Sequence, residues 1–440
     1  MFLSIDFGTS SVKLSILDEN LATLQSEKEE YQYTLLPGEK VEQDPVALWQ
    51  AMVTACKRLS PQLRKKVELF CYDTFSPSLV LMDECGELLY PIVTHLDRRS
   101  RPQSDYICDV MGKDRYQQIS GVYPFAGGIS LTTVLWFMKQ EPTLCEKVKR
   151  IGHLPTYVHK KLTGEWMVDM VNASMMGIYD TVRQNGWSDE ILETFGVPRH
   201  WLSPIYVPGE ALGVLRPQIA ADLGLTPGIP VAVGTNDVVA AHAGAGNTRS
   251  GQILNTAGSS DMVSILTDKP FLHPGYYVRN AGTPGLWQIY ATTCGGFSVD
   301  WFRKQFCAEM SAKQFFGEFL PSCLPLCSNN PVAFDPYLAE DRQSLERRLA
   351  SWRGLSLGTT KAQMLAALLY AMQKVLTDTI AEAAKQTNID RTIKITGGLA
   401  DAAIMTLKEK MFDGYTFEQR DDCTILGNAA LAYNGRSQLN

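Results

Sequence analysis

No pair of cysteines in this chain stands in a Cys-x-x-Cys spacing, and its six histidines share no short spacing with its ten cysteines. The closest pair, Cys323 and Cys327, lies between Pro321 and Pro325. A zinc-type ligand spacing is therefore missing, and reduced thiols in a cytoplasmic protein are the simpler account. The phosphate loop GxxxxGK[ST] is absent, so a nucleotide would have to be held in another way. No uninterrupted run of about 18 apolar residues occurs, so no membrane-spanning helix is expected. The first apolar stretch contains Asp6 and has no basic start, so no signal peptide is expected. An excess of positive charge is lacking as well: the formal net charge is −6, and basic runs such as Arg98-Arg99-Ser100-Arg101 are short. Nucleic acid and anionic membranes, which reward clustered Lys and Arg, are not the expected partners. Hydrophobic residues make up 45% of the chain and charged residues 20%, as in a soluble globular protein, and 440 residues exceed one ordinary core. Two domains are expected.

The N-terminus is the most informative stretch. Leu3 and Ile5 lie in an apolar strand that ends in Asp6-Phe7-Gly8-Thr9-Ser10-Ser11, and Val12, Leu14 and Ile16 then alternate with Lys13 and Ser15 as a returning strand. Gly8 permits close backbone approach, while hydroxyls and amides at such a turn can hold phosphate oxygens. Asp6 could hold a hydrated Mg²⁺, and Lys13 could reach toward phosphate. An ordinary hairpin with a Gly-Thr-Ser turn is the alternative. The pattern resembles the first phosphate hairpin of the actin-like ATPase fold, which sugar kinases, chaperone ATPases and actin share. Residues 252–266 repeat it, with an apolar strand running through Asn255-Thr256-Ala257 into Gly258-Ser259-Ser260 and a second strand ending Ser264-Ile265-Leu266. Two such hairpins about 250 residues apart suggest two similar domains that face one nucleotide.

Between the hairpins, strands and helices alternate. Gln43-Asp44-Pro45 opens a helix, with Asp44 as its cap and Pro45 at the first helical position. Residues 67–71 and 79–82 read as strands joined by the polar connection Asp73-Thr74-Phe75-Ser76-Pro77-Ser78. After the strand at 231–234, the small apolar residues 238–246 predict a tightly packed helix. The domain crossing is placed near residues 244–251, rich in Gly, Asn and Ser, giving domains 1–245 and 246–440. In the second part, Gly295-Gly296 precede a helix, a long helix is predicted over 361–385, and the strand 392–396 ends in Gly397-Gly398 before a helix at 402–411.

Taken in order, these pieces resemble the FGGY family of carbohydrate kinases over nearly the whole chain. Asp6-Phe7-Gly8-Thr9-Ser10 is similar to the family's first phosphate motif, and Glu42-Gln43-Asp44-Pro45 to its E-Q-D-P element. Asp97-x-Arg99 resembles the end of W-x-D-x-R, and Gly234-Thr235-Asn236-Asp237 the central G-x-x-D. Asn255 to Ser259 resemble the second phosphate motif, and Pro336 to Arg342 the P-Y-L-x-G-E-R stretch. Gly397-Gly398 match the adenosine glycines, and Leu426-Gly427-Asn428-Ala429-Ala430 the closing L-G-A-A helix. There are departures. His95 stands in place of the family's tryptophan, and Phe75-Ser76-Pro77 in place of the Q-M-H of xylulose kinases. Ala339-Glu340-Asp341 lacks the usual glycine, and only Asp421 and Asp422 represent the glutamate before the last helix.

The resemblance implies an α/β, two-domain actin-like ATPase (ribonuclease H-like) fold with the active site in the inter-domain cleft. It implies a sugar-binding and first-phosphate domain, followed by a nucleotide-binding domain. Asp237 would be the base that accepts the proton of the sugar hydroxyl, although a helix-start aspartate is also an ordinary cap. Asp6 would hold Mg²⁺. Gly8, Thr9, Ser10, Lys13, Gly258 and Ser259 would hold the ATP phosphates, and Gly295, Gly296, Gly397 and Gly398 would line the nucleotide. The sugar would meet Asp73, Thr74, Phe75, His95, Asp97, Asn236 and Asp237. Each has a structural alternative, such as core filling for Phe75 and a salt bridge for Asp97 with Arg99. The expected reaction is ATP-dependent phosphorylation of a ketopentose of the xylulose or ribulose type, with glycerol and gluconate left open. A sugar sensor or a nucleotide switch is a weaker alternative. The oligomeric state is not readable, and a homodimer is one assembly compatible with the chain.

Overall fold

The computed structural model of the chain describes residues 1–258, 260–338, 344–398 and 402–436. They group into two compact units. The first contains residues 1–248, 278–287 and the described residues from 422 on; the second contains 249–277 and 288–421.

The central sheet of the first unit has the order Ala211–Val214, Pro230–Ala232, Leu69–Thr74, Phe2–Phe7, Ser11–Leu17, Thr23–Glu30. Phe2–Phe7 runs antiparallel to Ser11–Leu17 and parallel to Leu69–Thr74, with Asp6 opposite Lys13 on one side and Asp73 on the other. Side chains alternate between faces along a strand. Leu3, Ile5 and Phe7 pack with Phe70 and Tyr72 and with Leu48 and Met52 of the helix Pro45–Arg58. That helix is capped by Asp44, whose Oδ1 accepts from the Val46 N–H at 2.8 Å. Phe2, Leu69 and Cys71 turn the other way, onto Ile425 and Ala429 of the last helix, Cys423–Arg436. Ser4 shares that face, and its Oγ donates to Ile425 O at 2.8 Å. Burying each large apolar side chain stabilises by roughly 1.5–3 kcal/mol. A one-residue slip would exchange the faces, so the apolar residues fix where Asp6 and Asp73 point.

A second sheet of the first unit, ordered Tyr33–Leu36, Lys40–Gln43, Ile92–Thr94, Ser78–Met82, Arg150–His153, continues from the loop after Thr74. Short helices, among them Ser130–Gln140 and Met170–Met176, accompany it. The helix Asp237–Gly244 follows the two-residue strand Thr235–Asn236, which pairs with Asp73 and Thr74. It crosses the last helix at glycines. A Cβ on Gly427 would lie 1.7 Å from Ala240 O, and one on Gly244 would lie 1.9 Å from Cys423 O.

In the second unit the strands run in the order Trp287–Cys294, Ser260–Thr267, Ile253–Ala257, Thr392–Thr396, Thr416–Gln419. Ile253–Ala257 is antiparallel to Ser260–Thr267 and parallel to Thr392–Thr396, the arrangement that Phe2–Phe7 has in the first unit. The two hairpins seen in the sequence thus open two sheets of like strand order. The long helix Lys361–Ala384 begins with a capping box between Thr360 and Gln363 and buries Leu365, Leu368, Leu369 and Met372 against Phe302, Phe315, Ile395 and Ile404. All ten cysteines are free thiols. Among the described residues no helix is long and apolar enough to cross a membrane.

The glycine crossing gives a direct test. Gly427→Ala forces a methyl group into a backbone carbonyl and should cost at least about 1–3 kcal/mol, the usual range for overpacking. Gly317→Ala, where an added Cβ meets nothing within 4 Å, should leave the unfolding midpoint nearly unchanged. Denaturant unfolding of both variants checks this; equal midpoints would remove the crossing as a constraint.

Candidate active site

Asp6 and Asp73 are register partners on adjacent strands, so their carboxylates project side by side from the face covered by the last helix. Thr424 Oγ1 donates to Asp6 Oδ2 at 2.9 Å. Asn428 Nδ2, one turn further on, donates to Asp73 Oδ2 at 2.5 Å and to Ile5 O at 3.2 Å. Burial raises the pKa of Asp6, against the lowering effect of the Thr424 hydrogen bond. Burial likewise holds Asp73 well above the usual carboxylate range, and the charges of Asp6 and Asp237 add to the effect. Gly8 closes the hairpin, with its N–H bonded to Ser11 O at 2.9 Å; Thr9 is half-buried and Ser10 exposed at its tip. Lys13 forms an ion pair with Asp422, one of the two acids that stand before the last helix.

Asp237 sits half-buried at the start of its helix, but the cap is its neighbour. Asn236 Oδ1 accepts from the Val238 N–H at 3.0 Å, which settles the capping role on Asn236. Asp237 Oδ1 accepts from Asn236 Nδ2 at 2.7 Å and from the Val238 N–H at 2.8 Å, fixing the rotation of the carboxylate. Its Oδ2 takes no hydrogen bond from the described residues. Burial pushes the Asp237 carboxyl up to about 7, and the charge of Asp6 adds to this. The two hydrogen bonds and the cation of Arg279 partly offset the rise.

A buried hydrogen-bonded chain supports this strand end. Thr235 Oγ1 donates to Asp169 Oδ1 at 2.9 Å, and Asp169 caps the helix Met170–Met176. Asn172 Nδ2 donates to Asp169 Oδ2 at 2.6 Å. Asn172 Oδ1 accepts from Ser76 Oγ at 2.7 Å and from His153 Nδ1 at 2.8 Å, and His153 Nε2 meets Ser130 Oγ at 2.7 Å. Burial lowers His153 to about 4, so the ring is neutral at pH 7. Ser76 therefore belongs to the same network as the strand that presents Asp237. Phe75 is buried and meets His95 edge to face at 6.2 Å. Thr74 Oγ1 donates to Phe75 O at 3.3 Å. Asp97 is taken up by the salt bridge its spacing allows. Arg99 Nη2 lies 2.7 Å from its Oδ2 and 2.6 Å from Glu42 Oε1, and the Val41 N–H also donates to Asp97 Oδ2.

In the second unit the predicted glycines come together. The Gly258 N–H donates to Ser260 O at 2.9 Å, and Gly258 O accepts from the Gly296 N–H at 3.0 Å. Gly295 precedes the helix Gly296–Phe306. Gly397, at φ 108°, leaves no room for a side chain: a Cβ would lie 2.4 Å from Ala257 O. Gly398 has nothing within 4 Å of an added Cβ. Ser259 and residues 339–342 of the P-Y-L-x-G-E-R stretch lie outside the described residues.

Asp6 and Asp73 fit a divalent cation. Two neighbouring carboxylates raised by burial are what such an ion relieves, and Asp73 Oδ1 is buried without a hydrogen-bond donor. Among the described residues no group of three or more His, Cys, Asp or Glu side chains is placed to hold a metal. A pair of carboxylates is what Mg²⁺ asks for, since it keeps several waters and binds through one or two carboxylates plus substrate phosphates.

Thr424, Asp169, Asn172, His153 and Arg279 have no place in the motifs above, and Asn428 stands in the closing helix motif without a role assigned to its side chain. A signal existed for Asn428, a polar residue inside the small apolar run of the last helix. Asp169, three residues before Asn172 at a helix start, also had the spacing of a cap. Arg279 had none.

Residues 1–244 match the N-terminal domain of the FGGY family of carbohydrate kinases. The chain is 26% identical over 381 residues to the gluconokinase of Bacillus subtilis, covering 83% of this chain and 74% of that one. It is also 26% identical over 423 residues to the xylulose kinase of Lactococcus lactis, covering 93% and 83%. The crystal structure of ligand-bound xylulose kinase from Lactobacillus acidophilus superposes with a TM-score of 0.90 at 19% identity, over 100% of this chain and 90% of that one. With its paired sheets and ordered motifs, the chain has the two-domain actin-like ATPase fold and belongs to the FGGY family of carbohydrate kinases.

Proposed function

We propose that this kinase transfers the terminal phosphoryl group of ATP to a hydroxyl of a ketopentose of the xylulose or ribulose type. The carrying observation is Asp237, whose Oδ1 is pinned by Asn236 and Val238 while Oδ2 takes no bond from the described residues. In this reading the acceptor hydroxyl hydrogen-bonds to Oδ2. As its oxygen attacks the terminal phosphorus, the proton passes to Asp237, the bond to the bridging oxygen breaks, and ADP leaves. A carboxyl near 7 is well matched to that proton transfer at neutral pH. Mg²⁺, when bound through Asp6, would neutralise phosphate charge. Gly8, Thr9, Ser10 and Lys13 would meet phosphates, with Lys13 exchanging Asp422 for the nucleotide. Gly258, Ser259, Gly295, Gly296, Gly397 and Gly398 are the residues we assign to the rest of the nucleotide. Ser76, His95 and Asn236 are the polar groups we assign to the sugar, and Asp97 serves as scaffold. We place the reaction in the cytoplasm.

A sugar acid is the second reading, favoured by Arg279. This residue is only 5% exposed, donates through Nη2 to Gly128 O at 3.3 Å, and its charge acts on both Asp237 and His153. A guanidinium matches a carboxylate better than it matches neutral hydroxyls.

Asp237→Asn should cut turnover by about 10²–10⁴-fold with nucleotide affinity little changed. Because the base must be deprotonated, wild-type kcat/KM should fall as pH drops below about 7 and level off above it. A flat profile, or near-normal turnover in the variant, would make Asp237 a bystander.

Asp6→Ala should weaken the use of Mg·ATP, and EDTA should abolish activity that Mg²⁺ restores. Full turnover without a divalent ion contradicts the assignment.

A coupled ADP-release assay with D-xylulose, L-xylulose, D-ribulose, L-ribulose, glycerol and gluconate tests the acceptor. The ketopentose reading expects a pentulose to give the highest kcat/KM. A preference for gluconate that Arg279→Met reduces by tenfold or more, while sparing neutral sugars, would select the second reading.

A further inference from the structure

The second unit contains an ion pair with no exposure to solvent. Lys408, on the helix Ala402–Met411, donates through Nζ to Asp261 Oδ2 at 2.7 Å and to Gln373 Oε1 at 2.8 Å. Gln373 Nε2, from the helix Lys361–Ala384, also reaches Asp261 Oδ2, at 3.1 Å. Asn255 Nδ2 completes the group with a 2.7 Å bond to Asp261 Oδ1. Stability alone is a poor explanation for this arrangement. Desolvating two charges costs several kcal/mol per ion, and apolar residues of similar volume often serve a core equally well or better.

Position explains more. Asn255 lies three residues before Gly258 and Asp261 three residues after it, so one carboxylate clasps both strands of the second phosphate-type hairpin. Its other oxygen clasps the helix that follows the Gly397-Gly398 turn. That turn already packs on the hairpin, through Gly397 against Ala257 O. The glycine contact sets how close the two approach. The ion pair sets how far the helix slides along the hairpin, because a charge-assisted bond this deep tolerates little displacement.

We propose that Lys408 and Asp261 are positioning residues for the nucleotide. They hold the hairpin at Gly258 in register with the Gly397-Gly398 turn, so that both present backbone to one ATP. The proposal rests on the reading that the second unit binds the nucleotide.

The test is a double variant, Asp261→Asn with Lys408→Met, which removes both charges while keeping volume. Its thermal midpoint should stay at or above that of the wild type. Calorimetric affinity for Mg·ADP should fall tenfold or more, while affinity for the preferred sugar stays within twofold. A merely structural pair would move the midpoint and both affinities together, or none of them. Asn255→Ala, which frees one strand but keeps the ion pair, should give the same selective loss at smaller size, and it decides the matter if the double variant does not fold. Wild-type Mg·ADP affinity in the double variant, or in Asn255→Ala, overturns the positioning role alone. Wild-type protein that binds neither ATP nor ADP overturns the nucleotide reading, and this proposal with it.

Discussion

Alanine methyls at positions 427 and 244 would sit almost on Ala240 O and Cys423 O, so the helices Asp237–Gly244 and Cys423–Arg436 meet backbone to backbone. Much of the first unit's chemistry depends on that closeness. It brings Thr424 and Asn428 within hydrogen-bond reach of Asp6 and Asp73. It also packs the helix that begins with Asp237 against the same partner. Helices separated by ordinary side chains lie 8–10 Å apart between axes, roughly; glycine removes part of that spacing where the carboxylates need it removed.

The two units use charge in opposite ways. The first gathers like charges, with Asp6, Asp73 and Asp237 influencing one another and all raised by withdrawal from water. Such a cluster is costly in isolation and becomes favourable when a cation or a transferable proton is present. The second unit cancels its buried charge internally, Lys408 against Asp261, with two amides completing the bonds.

Local pattern made much of the fold legible. Alternation of apolar residues gave the hairpins at 2–17 and 253–267, the Asp-Pro pair gave the start of the helix Pro45–Arg58, and double glycines gave the turns at 295–296 and 397–398. Asp237 was visible as a residue, but its neighbour's capping role, which leaves one oxygen available, was not; both lie at the helix start and only the side-chain rotamers separate them. The return of the last helix to the first unit also left little local trace, since packing between residues 4 and 425 is a property of the folded chain. Arg279 is the extreme case. It is a single arginine in a strand, and it gains meaning only because residues 278–287 group with the first unit, where Asn280 bonds to Met170 O at 3.0 Å and Val278 to Gly121 O at 3.1 Å.

That return of the last helix has a consequence for biosynthesis. Chains emerge N-terminus first, and domains usually fold as soon as they are complete. Here residues 1–248 can emerge without the helix that covers Phe2, Leu69 and Cys71 and that supplies Thr424, Asn428 and Asp422. At about 5–20 residues per second, the wait lasts on the order of ten seconds or more. During it Phe2, Leu69 and Cys71 lack the cover that Ile425 and Ala429 give them in the folded chain. A chain that ends before residue 423 would carry Asp6, Asp73 and Asp237 but lack Thr424 and Asn428, the donors that hold the first two in place.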